Sequence, residues 1–255
     1  MQRISRAFAR LREESRTGVI PYVMAGDPNL TATEELAVSL AAAGADLIEL
    51  GVPFSDPVAD GPVIQAAGNR ALQAGTTMEG VFSLVERVRQ RGVEVPLLLM
   101  SYYNPVFRRG ARAVARRLAE CGGDGMIVPD LPVEESAELK AELEKQGLAL
   151  IYLLAPTSTE KRIKMVAEAA KGFIYCVSIA GVTGARESLP PELRAFVNRV
   201  RSFTSLPLAV GFGISQRLQI EEVGQFADAA VVGSVLVAAE DKLARFRELK
   251  GERAN

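Results

Sequence analysis

The sequence predicts an α/β protein that folds as a single (β/α)₈ barrel, a TIM barrel, with an extra helix at its N-terminus. Eight apolar, strand-like runs recur along the chain, and a segment with apolar residues at helical spacing follows each run. The runs are nearly continuous in apolar residues, as is typical of parallel strands that are covered on both faces. The length of 255 residues also matches the ~250 residues typical of such barrels.

The predicted strands, in order, are residues 19–25, 46–51, 95–101, 125–129, 148–155, 173–178, 208–213 and 229–233. A basic, amphipathic segment before them, residues 1–11, predicts the extra helix. The helix after the second strand is expected to be double, over residues 62–74 and 78–90. No linker or low-complexity segment divides the chain, so we expect one domain over residues 1–255.

Local residue types predict where two of the helices start. Thr31, with Glu34 three residues later, predicts a capping box after the first strand. Pro190 and Pro191 predict the start of a helix late in the chain. The first N–H groups of a helix have no partner within it, so a proline at that position loses no hydrogen bond. A doubly wound open sheet is the main alternative fold, but the first strand–helix turn, residues 25–28, lacks the GxGxxG pattern.

Composition excludes several classes of protein. The net charge of −1 differs from the strongly positive charge of nucleic-acid binders. No apolar stretch reaches the ~18–20 residues of a membrane span, so we expect no membrane association. The N-terminal segment lacks the apolar core and cleavage site of a signal peptide. Cys121 and Cys176 are far apart and suit a reducing compartment, so we expect two buried thiols and a cytoplasmic protein.

A carboxylate stands where the second strand should end. Glu49 lies among leucine and isoleucine. A carboxylate there is costly to desolvate, so we expect it to have a charged or hydrogen-bonding partner or a role in catalysis. Asp60 closes the proline-rich loop that follows. The chain contains no histidine, so acid–base chemistry near neutral pH falls mainly to carboxylates and tyrosines. Because active sites of these barrels lie at the C-terminal ends of the strands, Glu49 and Asp60 are the candidate catalytic pair.

Other polar residues and glycines are expected at strand exits: Tyr102 to Asn104, Asp130, Ser178, Gly213 and Gly233. Asp130 is expected to cap the helix that follows it, whose first turn is acidic. Asp27 is expected to be a turn residue.

Three glycine-containing turns follow the last three predicted strands, at residues 181–184, 211–215 and 233–234. Glycine lets the backbone approach a ligand closely, and the loops after strands seven and eight of such barrels often bind phosphate. The alternative is that each glycine only forms a turn. We favour a phosphate site held mainly by backbone N–H groups, since Arg186 is the nearest basic residue.

Residues that the chain lacks exclude several reaction types. No predicted strand exit has a lysine, and Lys171 precedes the sixth strand, which argues against a Schiff-base aldolase. Without histidine, a zinc or iron site is not expected. Four carboxylates could in principle bind Mg²⁺: Asp46, Glu49, Asp56 and Asp60. Asp46 is expected at the entrance of its strand, however, so we expect no metal. An electron sink for a carbanion would have to come from the substrate.

Residues 49–62, ELGVPFSDPVADGP, resemble the signature of the tryptophan synthase α-subunit family. Weaker matches follow the family's order along nearly the whole chain: Pro21-Tyr22, Gly26-Asp27-Pro28, and residues 128–132, 181–184 and 211–215. The resemblance implies a lyase that cleaves indole-3-glycerol phosphate by a retro-aldol reaction to indole and glyceraldehyde 3-phosphate. Indole is then the electron sink, and the chain needs no lysine, metal or organic cofactor.

The resemblance also implies a role for individual residues. Glu49 would take the proton of the glycerol hydroxyl and deliver one to indole C3, and Asp60 would bind the indole N–H. The residues that would hold the phosphate are Gly184, Gly213, Gly233 and Ser234. Tyr22 and Tyr175 would contact the substrate, with a plain core tyrosine as the alternative for Tyr175. Thr183, in a lid over residues 179–189, would meet Asp60, and Phe212 would only pack.

The implied partner is a β subunit that uses pyridoxal phosphate and receives the indole, in an α₂β₂ assembly. The implied contact face includes residues 53–60 and the region near Asn104 and Pro105, so we expect the isolated chain to be a weak catalyst that the β subunit activates. Three alternatives remain open. The chain could be a lyase that works without a partner, a catalytically silent binding subunit, or a phosphosugar epimerase, which the missing histidines disfavour.

Overall fold

The eight strands close into a parallel barrel in the order in which they occur along the chain. The computed structural model describes residues 1–178, 189–211 and 213–251. The strands are β1 (Gly18–Met24), β2 (Ile48–Gly51), β3 (Leu97–Met100), β4 (Gly125–Ile127), β5 (Ala149–Leu154), β6 (Ile174–Val177), β7 (Leu208–Gly211) and β8 (Ala229–Val232). The closed sheet confirms the (β/α)₈ barrel and excludes the open sheet.

Helices alternate with the strands and cover the outside of the barrel. They are α1 (Gln2–Glu13), α2 (Leu30–Ala42), α3 (Pro62–Gln73), α4 (Met78–Gln90), α5 (Tyr103–Arg109), α6 (Ala111–Glu120), α7 (Ala137–Lys145), α8 (Glu160–Ala169), α9 (Pro191–Arg201), α10 (Arg217–Val223), α11 (Ser234–Val237) and α12 (Lys242–Lys250). The extra helix α1, the pair α3 and α4, and the start of α9 at Pro191 are confirmed. In the described ranges, none of these helices could span a bilayer.

Helix α1 closes the N-terminal end of the barrel. Its apolar face packs into one cluster with interior residues of the strands, and its buried members are Ile4, Ala7, Phe8 and Leu11. The rings of Phe8 and Phe173 lie 5.4 Å apart. Because this end is filled by side chains, a ligand must approach the interior from the C-terminal ends of the strands.

Three aspartates hold the N-terminal ends of neighbouring strands together. Each lies just before an even-numbered strand and accepts a hydrogen bond from a backbone N–H of the preceding strand: Asp46 from Val19 (2.9 Å), Asp124 from Leu97 (2.9 Å) and Asp228 from Leu208 (2.8 Å). Each also pairs with an arginine: Arg16, Arg89 and Arg201, respectively. Asp46 therefore lies at its strand entrance, as predicted, and cannot share a metal ion with the loop after β2.

The capping box predicted at Thr31 is wrong. Helix α2 begins at Leu30, and Asn29 is its N-cap, since the side-chain oxygen of Asn29 accepts the N–H of Ala32 at 2.8 Å. Glu34 does not reach back to the helix start. Its carboxylate instead forms an ion pair with Arg87 of α4 at 2.6 Å. Both cysteines are buried, as predicted.

Candidate active site

Glu49 points into the barrel from the middle of β2. Its register partners are Tyr22 on β1 and Leu98 on β3, and only 2% of the residue is exposed. Among the described residues, its Oε2 is the one buried side-chain oxygen or nitrogen without a hydrogen-bond partner. Burial, and secondarily the charge of Asp60, raises the pKa of Glu49 to about 8. A buried, unpaired carboxyl oxygen aimed into the barrel is unusual unless a ligand completes it.

Asp60 lies at the end of the loop between β2 and α3, one residue before the N-cap Gly61. Its N–H donates to the carbonyl of Pro57 at 3.1 Å, and its own carbonyl accepts from Gln65 at 2.8 Å. Burial raises the pKa of Asp60 to about 6, and the neighbouring Tyr102 hydroxyl limits that rise. Asp60 therefore remains largely ionised at neutral pH.

The two carboxyl groups thus differ in protonation state near pH 7. Glu49, with its pKa near 8, is mainly protonated, while Asp60, with its pKa near 6, is mainly charged. Environments that separate the pKa values of two acids in this way assign one group to proton transfer and the other to charge stabilisation. A carboxyl group with a pKa near the working pH can also both donate and accept a proton during one turnover.

Two tyrosines flank Glu49 inside the barrel. Tyr22 is its register partner on β1, and the charge of Glu49 contributes to raising the pKa of Tyr175 on β6, although burial is the larger cause. Burial likewise raises the pKa of Tyr22 well above its ordinary value, so both phenols stay protonated. Glycines make room for them. A Cβ on Gly51 would lie 2.1 Å from the Tyr22 hydroxyl, and a Cβ on Gly211 would lie 2.2 Å from the Tyr175 hydroxyl.

The predicted phosphate-binding residues fall partly within the described chain. Gly213, after β7, has a φ of +79°, a conformation that favours glycine, and a Cβ there would lie 4.0 Å from the Ser178 hydroxyl at the exit of β6. Gly233 follows β8, where a Cβ would meet Tyr22 at 3.6 Å, and Ser234 beside it is exposed. Gly213 and Gly233 thus lie at the exits of the neighbouring strands β7 and β8, and Gly233 lies beside Tyr22. Thr183, Gly184, Phe212, Arg186 and most of the expected lid lie outside the described residues.

Three apolar residues missed by the sequence analysis face the mouth of the barrel. They are Met100, Leu153 and Val177, and all three are half-buried. Each lies two positions after a buried interior residue of its own strand. Side chains alternate along a strand, so these three share the inward face. The alternation in the sequence could have identified them, but nothing in it tells a lining residue from an ordinary core residue.

Tyr102 is a further residue whose contacts cannot be predicted from the neighbouring sequence. It follows β3, its hydroxyl accepts the N–H of Ala59 at 2.9 Å, and its ring lies 5.5 Å from that of Phe54. From the sequence it is only one of several strand-exit residues. Its partners lie more than 40 residues earlier, so no local pattern indicates them.

Asp130 and Asp27 are both structural. Asp130 does not cap the helix after it. Its carboxylate accepts the N–H of Tyr103 at 2.8 Å and so caps α5, because the loops after β3 and β4 are neighbours in the barrel. Asp27, in the turn after β1 as predicted, forms a two-pronged ion pair with Arg70 of α3, at 2.7 Å for both contacts. Within the described ranges, no three acidic or cysteine side chains cluster as metal ligands would.

Comparison with known proteins identifies the family. The family model for the tryptophan synthase alpha chain matches residues 8–254. The tryptophan synthase alpha chain of Carboxydothermus hydrogenoformans is 50% identical over 237 residues, which are 93% of this chain and 88% of that one. That of Methanosarcina acetivorans is 52% identical and covers 92% and 85% of the two chains.

Solved structures agree with these sequence matches. A chain of the Mycobacterium tuberculosis tryptophan synthase superposes with a TM-score of 0.90 at 38% identity, over 98% of this chain and 95% of that one. A structure from Aquifex aeolicus gives 0.89 at 41% identity over 99% of both chains. With a full-length match in sequence and in fold, the chain belongs to the tryptophan synthase α-chain family.

Proposed function

We propose that Glu49 is the acid–base group and Asp60 the charge-stabilising group in the reaction of this chain. That reaction is the family's cleavage of indole-3-glycerol phosphate to indole and glyceraldehyde 3-phosphate. The observation that supports the assignment is the buried Oε2 of Glu49, which lacks a hydrogen-bond partner among the described residues. A substrate in the barrel mouth would supply that partner.

The chemistry follows from the protonation states. Protonated Glu49 delivers its proton to indole C3, which turns the ring into an iminium-like acceptor of electrons. The resulting carboxylate then takes the proton of the glycerol hydroxyl adjacent to the breaking bond, the C–C bond cleaves, and its electrons neutralise the ring. Glu49 ends protonated, as it began. Asp60 stays ionised, accepts the indole N–H and stabilises its developing positive charge.

The same scheme explains why the α chain needs no cofactor of its own, since the substrate supplies the electron sink. Tyr22 and Tyr175 would flank the indole, with Met100, Leu153 and Val177 as an apolar wall. We assign the phosphate to the exits of β7 and β8, at Gly213, Gly233 and Ser234. Thr183 and Gly184 are assigned on the resemblance alone.

The chain pairs with a β subunit, which holds the pyridoxal phosphate, in an α₂β₂ complex. We place the contact at residues 53–60 and on α5. These segments have two large apolar side chains that are strongly exposed, Val58 (83%) and Phe107 (72%). Both lie at the catalytic mouth, where indole must leave. We further propose that the chain is one domain over residues 1–255 and that it works in the cytoplasm.

Replacing Glu49 tests the assignment. Glu49→Gln keeps the size of the side chain but cannot transfer protons, so it should bind indole-3-glycerol phosphate and release essentially no indole. Glu35→Gln, which changes an exposed carboxylate on α2, is the matched control and should keep parental turnover. Parental indole release by Glu49→Gln would refute the assignment. A silent subunit would show no parental activity to lose.

A further inference from the structure

Tyr102 contacts the loop after β2 at three places. The residue is 4% exposed, and its ring packs beside Phe54 near the start of the loop. Its hydroxyl accepts the N–H of Ala59 at 2.9 Å and also interacts with the carboxyl group of Asp60, the next residue. In the described part of the chain, the other hydrogen bonds of residues 54–60 join the loop to itself or to Gln65 of α3. Tyr102 therefore attaches this loop to the next strand of the barrel.

We propose that Tyr102 is a positioning residue, which directs the Asp60 carboxylate into the site by fixing the backbone at Ala59 and donating its hydroxyl proton to that carboxylate. The inference rests on the charge-stabilising role proposed for Asp60. A phenol oxygen that accepts a backbone N–H keeps its own proton to donate, so one hydroxyl can make both contacts. Hydrogen bonds to a charged acceptor are also roughly twice as strong as neutral ones.

The surroundings of Asp60 make this contact important. The titratable groups that face it in the described structure are themselves acids: Glu49 on β2, Tyr22 on β1 and Tyr102 after β3. Tyr175 on β6 faces Glu49, and Asp130 after β4 acts on Tyr102. Burial raises the pKa of Asp60, and the Tyr102 hydroxyl is the contact that lowers it. Without that hydroxyl, Asp60 would protonate at a higher pH, and a smaller fraction of it would be ionised to accept the indole N–H.

Tyr102→Phe isolates the hydroxyl, because the ring and its packing against Phe54 remain. We expect kcat for indole release to fall by roughly tenfold or more, in line with the loss of a hydrogen bond to a charged group. KM should change less, and the acidic limb of the kcat/KM profile should move to higher pH. The matched control is Tyr152→Phe on β5, which removes another buried hydroxyl, one that bonds Ser136 at 2.6 Å on the outer side of the barrel. It should leave both readouts unchanged.

A second substitution tests the opposite direction. Site-specific incorporation of 3-fluorotyrosine at position 102 makes the phenol more acidic and a stronger donor, so the acidic limb should move to lower pH. A parental kcat and pH profile in Tyr102→Phe would overturn the inference. So would a profile that stays in place while only the thermal stability falls, because that result describes a purely structural residue.

The Asp60→Asn variant separates this inference from the proposed function. If Asp60→Asn keeps parental activity, the role of Asp60 is wrong, and the positioning role of Tyr102 is wrong with it. If Asp60→Asn loses activity while Tyr102→Phe keeps the parental rate and profile, only the inference about Tyr102 fails. Loss of activity in both variants, with the shifted acidic limb in Tyr102→Phe, is the expected result.

Discussion

The carboxyl group of Glu49 is buried inside the barrel and lies within the electrostatic reach of Asp60 at the end of the following loop. Burial is the larger reason for its raised pKa, and the charge of Asp60 adds to it. Two acids from one strand–loop unit therefore hold different protonation states at neutral pH. This separation is what the proposed acid–base role of Glu49 and the proposed charge-stabilising role of Asp60 require in a chain without histidine.

The pH dependence of the reaction should reflect both groups. With a pKa of about 6 for Asp60 and about 8 for Glu49, kcat/KM should rise as Asp60 ionises and fall as Glu49 loses its proton. Steady-state indole release across pH 5–9 measures this. In the residual activity of Asp60→Asn the alkaline limb should move to lower pH, because the charge of Asp60, which adds to the effect of burial on the pKa of Glu49, is gone. An alkaline limb unchanged by Asp60→Asn would contradict the electrostatic coupling.

Glu49 should also make the protein less stable as pH rises. Its folded pKa of about 8 lies above its ordinary value of 4.5, so the native state retains a proton that the unfolded chain releases between these values. Glu49 should therefore contribute a loss of stability between about pH 4.5 and about pH 8, of roughly 4 kcal/mol as an order of magnitude. Glu49→Gln should lack this contribution, so its stability should fall less than that of wild type between pH 5 and pH 8. Urea unfolding at pH 5 and pH 8 tests it, with Glu35→Gln as the control. Equal pH dependence in Glu49→Gln and wild type would show that Glu49 is not the cause.

The sequence allowed the prediction of those features that short-range patterns encode. Glu49 stands out because a charged residue interrupts an apolar strand, and the eight strands are recognisable as short apolar runs separated by helical patterns. The contacts of Tyr102 with Ala59 and of Asp130 with Tyr103 join residues far apart in the chain. Such pairings depend on which strand exits become neighbours when the barrel closes, and capping rules do not include that information.

Helix starts were predictable only where a single residue type decides. Pro190 and Pro191 were sufficient for α9, since their fixed φ leaves few alternatives. At α2, Asn29 and Thr31 can both cap, and the tight turn after Gly26 decides in favour of Asn29. There the hydroxyl of Thr33 accepts the N–H of Gly26 and donates to the carbonyl of Asn29, which fixes the first turn of the helix.

Asp124 should be important for stability and not for catalysis. It is 2% exposed, accepts the N–H of Leu97 and pairs with Arg89, whose side chain is itself largely buried. Asp124→Ala leaves that arginine unpaired and should lower the free energy of unfolding by about 3–5 kcal/mol. Because Asp124 lies at the N-terminal end of the barrel, kcat at a temperature where the variant is folded should stay near the parental value. Glu94→Gln, which breaks an exposed ion pair with Arg3, should cost less than about 1 kcal/mol. A comparably small loss in Asp124→Ala would contradict the anchoring role.

Docking of the β subunit should depend on the exposed apolar side chains beside the catalytic mouth. Val58 is adjacent to Ala59, which Tyr102 binds, so a partner that buries Val58 presses on the loop that ends in Asp60. Val58→Asp and Phe107→Asp should each weaken binding of the β subunit by about tenfold or more, since a buried, unpaired charge is costly at an interface. Leu218→Asp is the matched control, because Leu218 is 69% exposed on α10, across the barrel from β2 and β3. Calorimetric titration gives the affinities, and indole release with saturating β subunit gives the activation.

If Leu218→Asp weakens binding as much as Val58→Asp does, the contact face lies elsewhere. If the two mouth variants bind normally, activation by the partner does not act through this loop.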